Sequence, residues 1–160
     1  HYYRPHLVTS IGDKKIVFQD SLFKRETLVD SVHFEVVHNG MQAVLEEEGG
    51  TALKSRIADV VVCGKTGTSQ NYQNKKENLN SFISIFPSQK PKYALLVMLE
   101  NPKVAENLIY NYRGVKIKGT RNEAGWNSVY VAGKIIKRIG PILAIKNNDF
   151  DLQYVAGKTN

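Results

Sequence analysis

Two rhythms of apolar residues run through this chain, and each predicts a different kind of element. Leu7-Val8-Thr9-Ser10-Ile11 and Lys15-Ile16-Val17-Phe18 are rich in β-formers and flank Gly12-Asp13-Lys14. That layout predicts a hairpin over 7–18, with Pro5 favouring an extended lead-in. From Asp30 to Glu48 the spacing lengthens to three and four residues, through Val32, Val36 or Val37, Met41, and Val44 or Leu45. This is the period of a helix with one buried stripe. Asp30 or Ser31 stands where a cap belongs, and Gly49-Gly50 stands where the helix should stop. Gly40 inside it costs about 1 kcal/mol relative to alanine, so close packing is expected there.

Asp59-Val60-Val61-Val62-Cys63 is a β-branched run that leads into Gly64-Lys65-Thr66-Gly67-Thr68. The polar stretch Ser69 to Asn80 predicts an exposed loop. Ser81–Phe86 and Tyr93–Leu99 read as strands, and the short Pro87–Pro91 connection between them requires an antiparallel pair. Asn101 to Glu123 is mixed and basic, and is expected to be a loop excursion. Val131, Ile135 and Ile139 predict a helix over 127–139, ended by Gly140-Pro141. Lys146 to Asn160 reads as a tail. Tyr-Val-Ala-Gly-Lys occurs at 130–134 and again at 154–158, but no longer similarity surrounds the copies, so no repeat is inferred. The expected fold is α+β, with Val60–Thr68, Ser81–Phe86 and Tyr93–Leu99 as an antiparallel sheet flanked by helices.

Composition narrows the class. The chain has 160 residues, 42% apolar and 23% charged, which suits one globular domain. Its longest apolar run, Tyr93 to Leu99, is far too short to span a bilayer. Cys63 is the single cysteine, which excludes an internal disulfide and a multi-cysteine zinc site. The four histidines form no H-E-x-x-H spacing, so no metal or cofactor is expected. The chain opens on His1 without a signal-peptide pattern, and is expected to be a processed product or a piece of something longer.

Charge is unevenly spread. Residues 1–80 carry ten basic and ten acidic side chains, whereas 81–160 carry twelve against five, so the whole +7 lies in the second half. Such an excess can attract an anionic partner, but it equally describes a solvated face, and the latter reading is preferred. Lys103, Arg113, Lys116, Lys118 and Arg121 concentrate it. No nucleic-acid partner is expected.

The densest candidate chemistry is Lys65-Thr66-Gly67-Thr68-Ser69. A phosphate-binding loop would need glycine where Asp59 stands and a helix afterwards, and neither is present. As a strand, the segment sends Thr66 and Thr68 to one side and Lys65 and Gly67 to the other. Gly67 leaves room for another molecule to approach the backbone. Two hydroxyls and an ammonium suit a carboxylate, and the Thr68 N–H suits an oxyanion. By spacing alone, an exposed strand end fits these residues equally well.

The surrounding residues are more specific. Lys65-Thr66-Gly67-Thr68 after an apolar strand resembles the third active-site motif of penicillin-binding proteins and serine β-lactamases. Gly40-Met41, Gly50-Thr51-Ala52 and Val62-Cys63-Gly64 through Ser69-Gln70 resemble its approach in class B penicillin-binding proteins. Ser81–Pro87, Pro91-Lys92-Tyr93 and Val97–Lys103 continue the likeness. Ala124–Asn127 and Arg138–Leu143 resemble the end of the alphaproteobacterial cell-division transpeptidases, and Arg4–Val8 is similar to their hairpin. The resemblance covers about residues 2–145 and motivates a division into 1–145, the C-terminal portion of a transpeptidase domain, and a tail at 146–160.

That resemblance implies an incomplete penicillin-binding-protein/serine β-lactamase-like transpeptidase domain that cross-links septal peptidoglycan. It implies that Lys65 organises the proton network, and that Thr66, Gly67 and Thr68 hold the substrate carboxylate. It implies stem peptides and β-lactams as ligands, divisome proteins as partners, and a periplasmic location with an anchor upstream. The family's Ser-x-x-Lys nucleophile motif should precede Lys65 by much more than the 44 positions that separate it from Ser21. Ser21-Leu22-Phe23-Lys24 therefore reads as a chance match, and Ser69-Gln70-Asn71 stands on the wrong side of Lys65 for the family's Ser-x-Asn. The chain is expected to lack its nucleophile and to be inactive alone. Two other readings stay open: a non-catalytic interaction module using the basic 103–121 surface, and a fragment of a β-lactamase-like hydrolase. Cys63 reads as a packing residue with no local base, His33 and His38 as surface or packing residues, and Trp126 as a packing anchor.

Overall fold

The computed structural model describes residues 2–3, 8, 10–15, 24–53, 61–70, 73–74, 77–112 and 114–146. The chain divides into two compact units, His1–Val36 and Val37–Asn160. In the first, strands β1 (Tyr2–Tyr3), β2 (Ser10–Ile11), β3 (Lys14–Lys15) and β4 (Lys24–Arg25) form two short antiparallel ladders, β1 with β4 and β2 with β3. The β2–β3 ladder is the tip of the predicted hairpin; Leu7, Thr9 and Ile16–Phe18 lie outside the described residues.

Helix α1 spans Ser31–Glu46, and Gly49 with φ +85° follows it, a conformation that only glycine adopts cheaply. Its burial differs from the predicted stripe. Leu45 is buried and Val44 packs against the core, whereas Val32, Val36 and Val37 are exposed. Apolar neighbours gather around the C-terminal turns of α1, in a cluster that joins Leu45 to Ala52, Val62, Phe82 and Ile136. The close packing expected at Gly40 is also absent among the described residues, since a Cβ there would meet nothing within 4 Å.

In the second unit, β5 (Cys63–Gln70), β6 (Asn78–Phe86) and β7 (Tyr93–Glu100) form the expected antiparallel sheet in the order β5-β6-β7. β6 and β7 run further than expected, because the ladder bonds backbone groups whatever the side chains are. β5 is shifted instead: it begins at Cys63, after Val61 and Val62, and runs on to Gln70, and Val60 lies outside the described residues. Thr68 pairs with Asn80, Ser69 with Leu79 and Gln70 with Asn78, so both ends of the polar stretch expected to be loop are strand. Asn80 is fully buried there.

One face of the sheet presents Phe82, Phe86 and Val97 to the second helix, α2 (Ser128–Lys146), whose Val129, Ala132 and Ile136 complete the core. The opposite face carries Lys65, Gly67, Ile83, Leu96 and Met98, and the last three are exposed. Helix α2 runs through Pro141 instead of ending before it. An internal proline costs about 3 kcal/mol. Ile139 and Leu143 continue the stripe of Ile135 onto the core on both sides of Pro141, and that burial outweighs the lost hydrogen bond.

The basic stretch after β7 is not a plain loop. β8 (Ile109–Tyr112) and β9 (Val115–Lys118) form a hairpin with Gly114 at φ +78°. Tyr110 anchors it, buried edge-on against the rings of Trp126 and Tyr130, with its hydroxyl donating to the Trp126 carbonyl. Trp126 thus packs as expected. A 3-10 turn, Ala124–Trp126, then leads into α2, where the Asn127 side chain accepts the Ser128 N–H at 2.6 Å. The architecture is α+β: an antiparallel sheet flanked by helices.

Candidate active site

The four predicted site residues lie in the middle of β5, which among the described residues is an edge strand of its sheet. Their side chains divide as strand alternation requires. Thr66 and Thr68 share the face of Phe82 and Asn80, while Lys65 and Gly67 share the open face with Ile83 and Ser81. Lys65 is exposed, and its Nζ donates to the Thr66 carbonyl at 2.7 Å. The space expected at Gly67 for an incoming molecule is taken by a neighbour. A Cβ there would stand 2.6 Å from the Ser81 hydroxyl oxygen, so the glycine accommodates the adjacent strand on that face.

On the other face, two segments distant in sequence close around the threonines. The Ala124 N–H donates to Thr68 Oγ1 at 3.0 Å, which leaves the Thr68 hydroxyl hydrogen able to point elsewhere. Thr66 Oγ1 lies 2.8 Å from Thr51 Oγ1. Thr51 is held by its surroundings: Ala52, next to it, is fully buried and donates its N–H to the Val44 carbonyl at 3.0 Å. Gly125 lies so close that a Cβ on it would come 2.0 Å from the Thr51 carbonyl oxygen. One short turn therefore contacts Thr68 through Ala124 and Thr51 through Gly125.

Behind this turn is an asparagine network. Asn80 Nδ2 donates to the Asn122 carbonyl at 2.7 Å and to Asn127 Oδ1 at 3.1 Å. Asn127 Nδ2 donates to Asn122 Oδ1 at 3.1 Å, and Asn122 Nδ2 donates to the Pro102 carbonyl. These bonds join the strand position opposite Thr68 to the turn that reaches it.

The start of β5 is held by a second network, in which His38 packs against Cys63 from a distant segment without offering it a base. The His38 ring, 25 residues away in sequence, brings Nε2 to 3.2 Å from Cys63 Sγ. Nε2 also lies 2.7 Å from the Ser88 carbonyl, a pure acceptor, which places the hydrogen on Nε2. Ser88 Oγ donates to Gln42 Oε1 at 3.1 Å and so accepts the Cys63 thiol hydrogen at 2.7 Å. Burial pushes the thiol pKa up, the bond to Ser88 offsets part of the rise, and Glu46 adds to it. A neutral, fully buried thiol is a packing group, as expected, and a poor nucleophile.

Because folding raises the thiol pKa above its ordinary 9.0, its contribution is complete below that value and lost as pH rises through the folded value. The melting temperature of the native protein should therefore fall towards that of Cys63→Val as pH is taken from 8 to about 11. A constant difference across that range would contradict the assignment.

Other expected features fall elsewhere. Ser21 lies outside the described residues, as do Asn71 and Arg113, and Ser69 is exposed near the end of β5. Lys103, Lys116, Lys118 and Arg121 are exposed, with Lys116 and Lys118 on the outer face of the β8–β9 hairpin. Among the described residues, no group of three or more His, Cys, Asp or Glu could hold a metal ion, and no helix is long and apolar enough to cross a membrane.

Residues 1–120 match the family described as the penicillin binding protein transpeptidase domain. The chain is 29% identical over 132 residues to the probable peptidoglycan D,D-transpeptidase FtsI of Caulobacter vibrioides (strain NA1000 / CB15N), covering 76% of this chain and 21% of that protein. It is 27% identical over 117 residues to the peptidoglycan D,D-transpeptidase FtsI homolog of Mesostigma viride, covering 70% of this chain and 19% of that protein. It thus spans about a fifth of the length of these curated relatives. Its fold is similar to that of Pseudomonas aeruginosa PBP2, solved in complex with WCK 5153, with a TM-score of 0.59 at 22% identity, covering 87% of this chain and 27% of that one. Helicobacter pylori PBP2 is also similar, with a TM-score of 0.52 at 18% identity over 82% of this chain and 20% of that one.

Proposed function

This chain belongs to the penicillin-binding protein transpeptidase domain family, and on that premise we propose that residues 1–145 are the C-terminal part of a peptidoglycan D,D-transpeptidase domain. In the intact enzyme a serine upstream of His1 attacks the carbonyl carbon of a D-Ala-D-Ala stem peptide. D-Alanine leaves, and the acyl group passes from the serine to an amine on a neighbouring strand. β-Lactams acylate the same serine. This chain supplies the other wall of the site. Thr66 and Thr68 hydroxyls hold the terminal carboxylate, Gly67 keeps the strand between them slim, and Lys65 places an ammonium in the proton network. The Thr68 N–H helps hold the oxyanion.

The observation that carries this reading is the state of Thr68. Its oxygen already accepts the Ala124 N–H at 3.0 Å, so its hydroxyl hydrogen is available for an anion. The Lys65 bond to the Thr66 carbonyl supports it, because a carbonyl engaged in this way faces the edge of β5 that is unpaired among the described residues. Residues two apart in a strand turn their backbone groups the same way, which aims the Thr68 N–H towards that edge as well. The FtsI-named relatives favour a role in septal cross-linking with divisome partners, and a periplasmic site tethered by an upstream anchor. Of the expected tail, Lys146 closes α2 and residues 147–160 lie outside the described residues.

Fluorescent penicillin is expected to label the intact protein at a serine upstream of His1 and to leave the 160-residue chain unlabelled. Acylation of the isolated chain at Ser21 would overturn the proposal. Hydrolytic turnover of penicillin by the intact protein would favour the β-lactamase alternative instead.

A further inference from the structure

We propose that Thr51 is a positioning residue for carboxylate recognition, donating its hydroxyl hydrogen to Thr66 Oγ1 so that the Thr66 hydroxyl hydrogen points to the bound anion. The inference rests on the reading of Thr66 and Thr68 as the carboxylate-binding pair. A threonine hydroxyl has one hydrogen to give and two lone pairs to accept with. Thr68 is bound in the way an anion site needs, as acceptor of the Ala124 N–H at 3.0 Å with its own hydrogen left to donate. Among the described residues, Thr66 has no backbone donor in that role. Its hydroxyl meets Thr51 Oγ1 at 2.8 Å instead.

Either hydroxyl can donate in an isolated pair, and an anion decides between the two arrangements. If Thr66 donates to Thr51, it turns a lone pair towards the carboxylate and repels it. If Thr51 donates to Thr66, both threonines of β5 present hydrogens to the same anion. The charge-assisted bond is the stronger one, so the second arrangement is selected when a carboxylate is present.

The setting of Thr51 suits this task. It is exposed, yet its backbone is fixed between buried Ala52 and the close approach of Gly125. Gly125 adjoins Ala124, whose N–H serves Thr68, so one turn sets both hydroxyls in register. Thr51 acts through Thr66 and need not touch the ligand.

The test uses the intact protein, with benzylpenicillin and its methyl ester as probes and the second-order rate of acylation as the readout. Thr51→Val keeps the shape and removes the hydroxyl. It is expected to slow acylation by benzylpenicillin about tenfold, to leave the methyl ester within about twofold, and to keep the melting temperature. Thr51→Ser is expected to restore the benzylpenicillin rate. An unchanged benzylpenicillin rate in Thr51→Val overturns the proposal, and so does an equal loss with both probes, which would mark a structural role. A folded wild-type protein that no penicillin acylates refutes the underlying site assignment, and this inference with it.

Discussion

Lys65→Ala in the intact protein is expected to slow penicillin acylation by about 10²- to 10³-fold while leaving the melting temperature unchanged. The two halves of that expectation have separate grounds. Lys65 is exposed, and its Nζ bonds the carbonyl of the next residue, a contact that solvent replaces readily. Removing such a group normally alters stability by less than about 0.5 kcal/mol. The rate effect corresponds to about 3–4 kcal/mol of lost transition-state stabilisation. A positive charge matters that much only where charge develops during the reaction. Lys65→Arg separates charge from geometry. Its planar guanidinium keeps the charge but cannot place a single compact donor, so recovery should be partial. Stopped-flow acylation together with thermal melts decides the matter. A lower melting temperature with an unchanged rate would make Lys65 a structural residue.

The parts of this fold that could be read from residue order are those where local pattern and tertiary environment agree. The sheet is one: its apolar cores and the short connection at Pro87 dictated antiparallel pairing, and the register lengthened β6 and β7 while moving β5 past Val61 and Val62 to Cys63–Gln70. The alternation of Lys65 and Gly67 against Thr66 and Thr68 is another, because the period of a strand is two. Disagreement came where a distant group changed the outcome. Nothing near Asn80 in sequence announces that Asn122 and Asn127 will accept from its buried Nδ2. The β8–β9 hairpin depends on Tyr110 finding Trp126 and Tyr130, and Pro141 stays helical because the apolar stripe continues past it.

The candidate site divides in the same way. Its four strand residues are contiguous and could be found from their order alone, whereas their supports come from elsewhere. Thr51 and Ala124 reach the threonines across 15 residues in one direction and 56 in the other, and Gly125 packs on Thr51. Gly50-Thr51-Ala52 and Ala124–Asn127 did stand out as family-like segments, which was the one signal available for these supports. Their geometry was not readable. His38, Gln42 and Ser88 around Cys63 gave no signal at all, since a histidine on a helix face has no preferred partner until the fold brings one.

Phe82→Ala is expected to destabilise the protein by about 3–5 kcal/mol, the largest stability loss anticipated for any single side chain here. Phe82 is fully buried in the central strand, paired with Thr66 on one side and Val97 on the other, and it belongs to the core cluster shared with α1 and α2. Truncation removes the ring's transfer free energy and leaves a cavity that neighbours on three elements cannot all fill. Its ring also explains Gly64. A Cβ at that position would lie 2.4 and 2.5 Å from ring atoms of Phe82 and 2.9 Å from the Ile83 carbonyl oxygen. Gly64→Ala alone should therefore cost about 1–3 kcal/mol through overpacking. The two losses should not add. Once the ring is gone, the two closest clashes of the new methyl go with it and the methyl fills part of the cavity, so the double variant should be more stable than the sum of the single losses predicts. Urea denaturation of the four proteins measures that coupling, expected at about 1 kcal/mol or more. Strict additivity would mean that the Gly64 backbone, held by its pairing with Ser84, and not the Phe82 ring, sets the need for glycine one residue before Lys65.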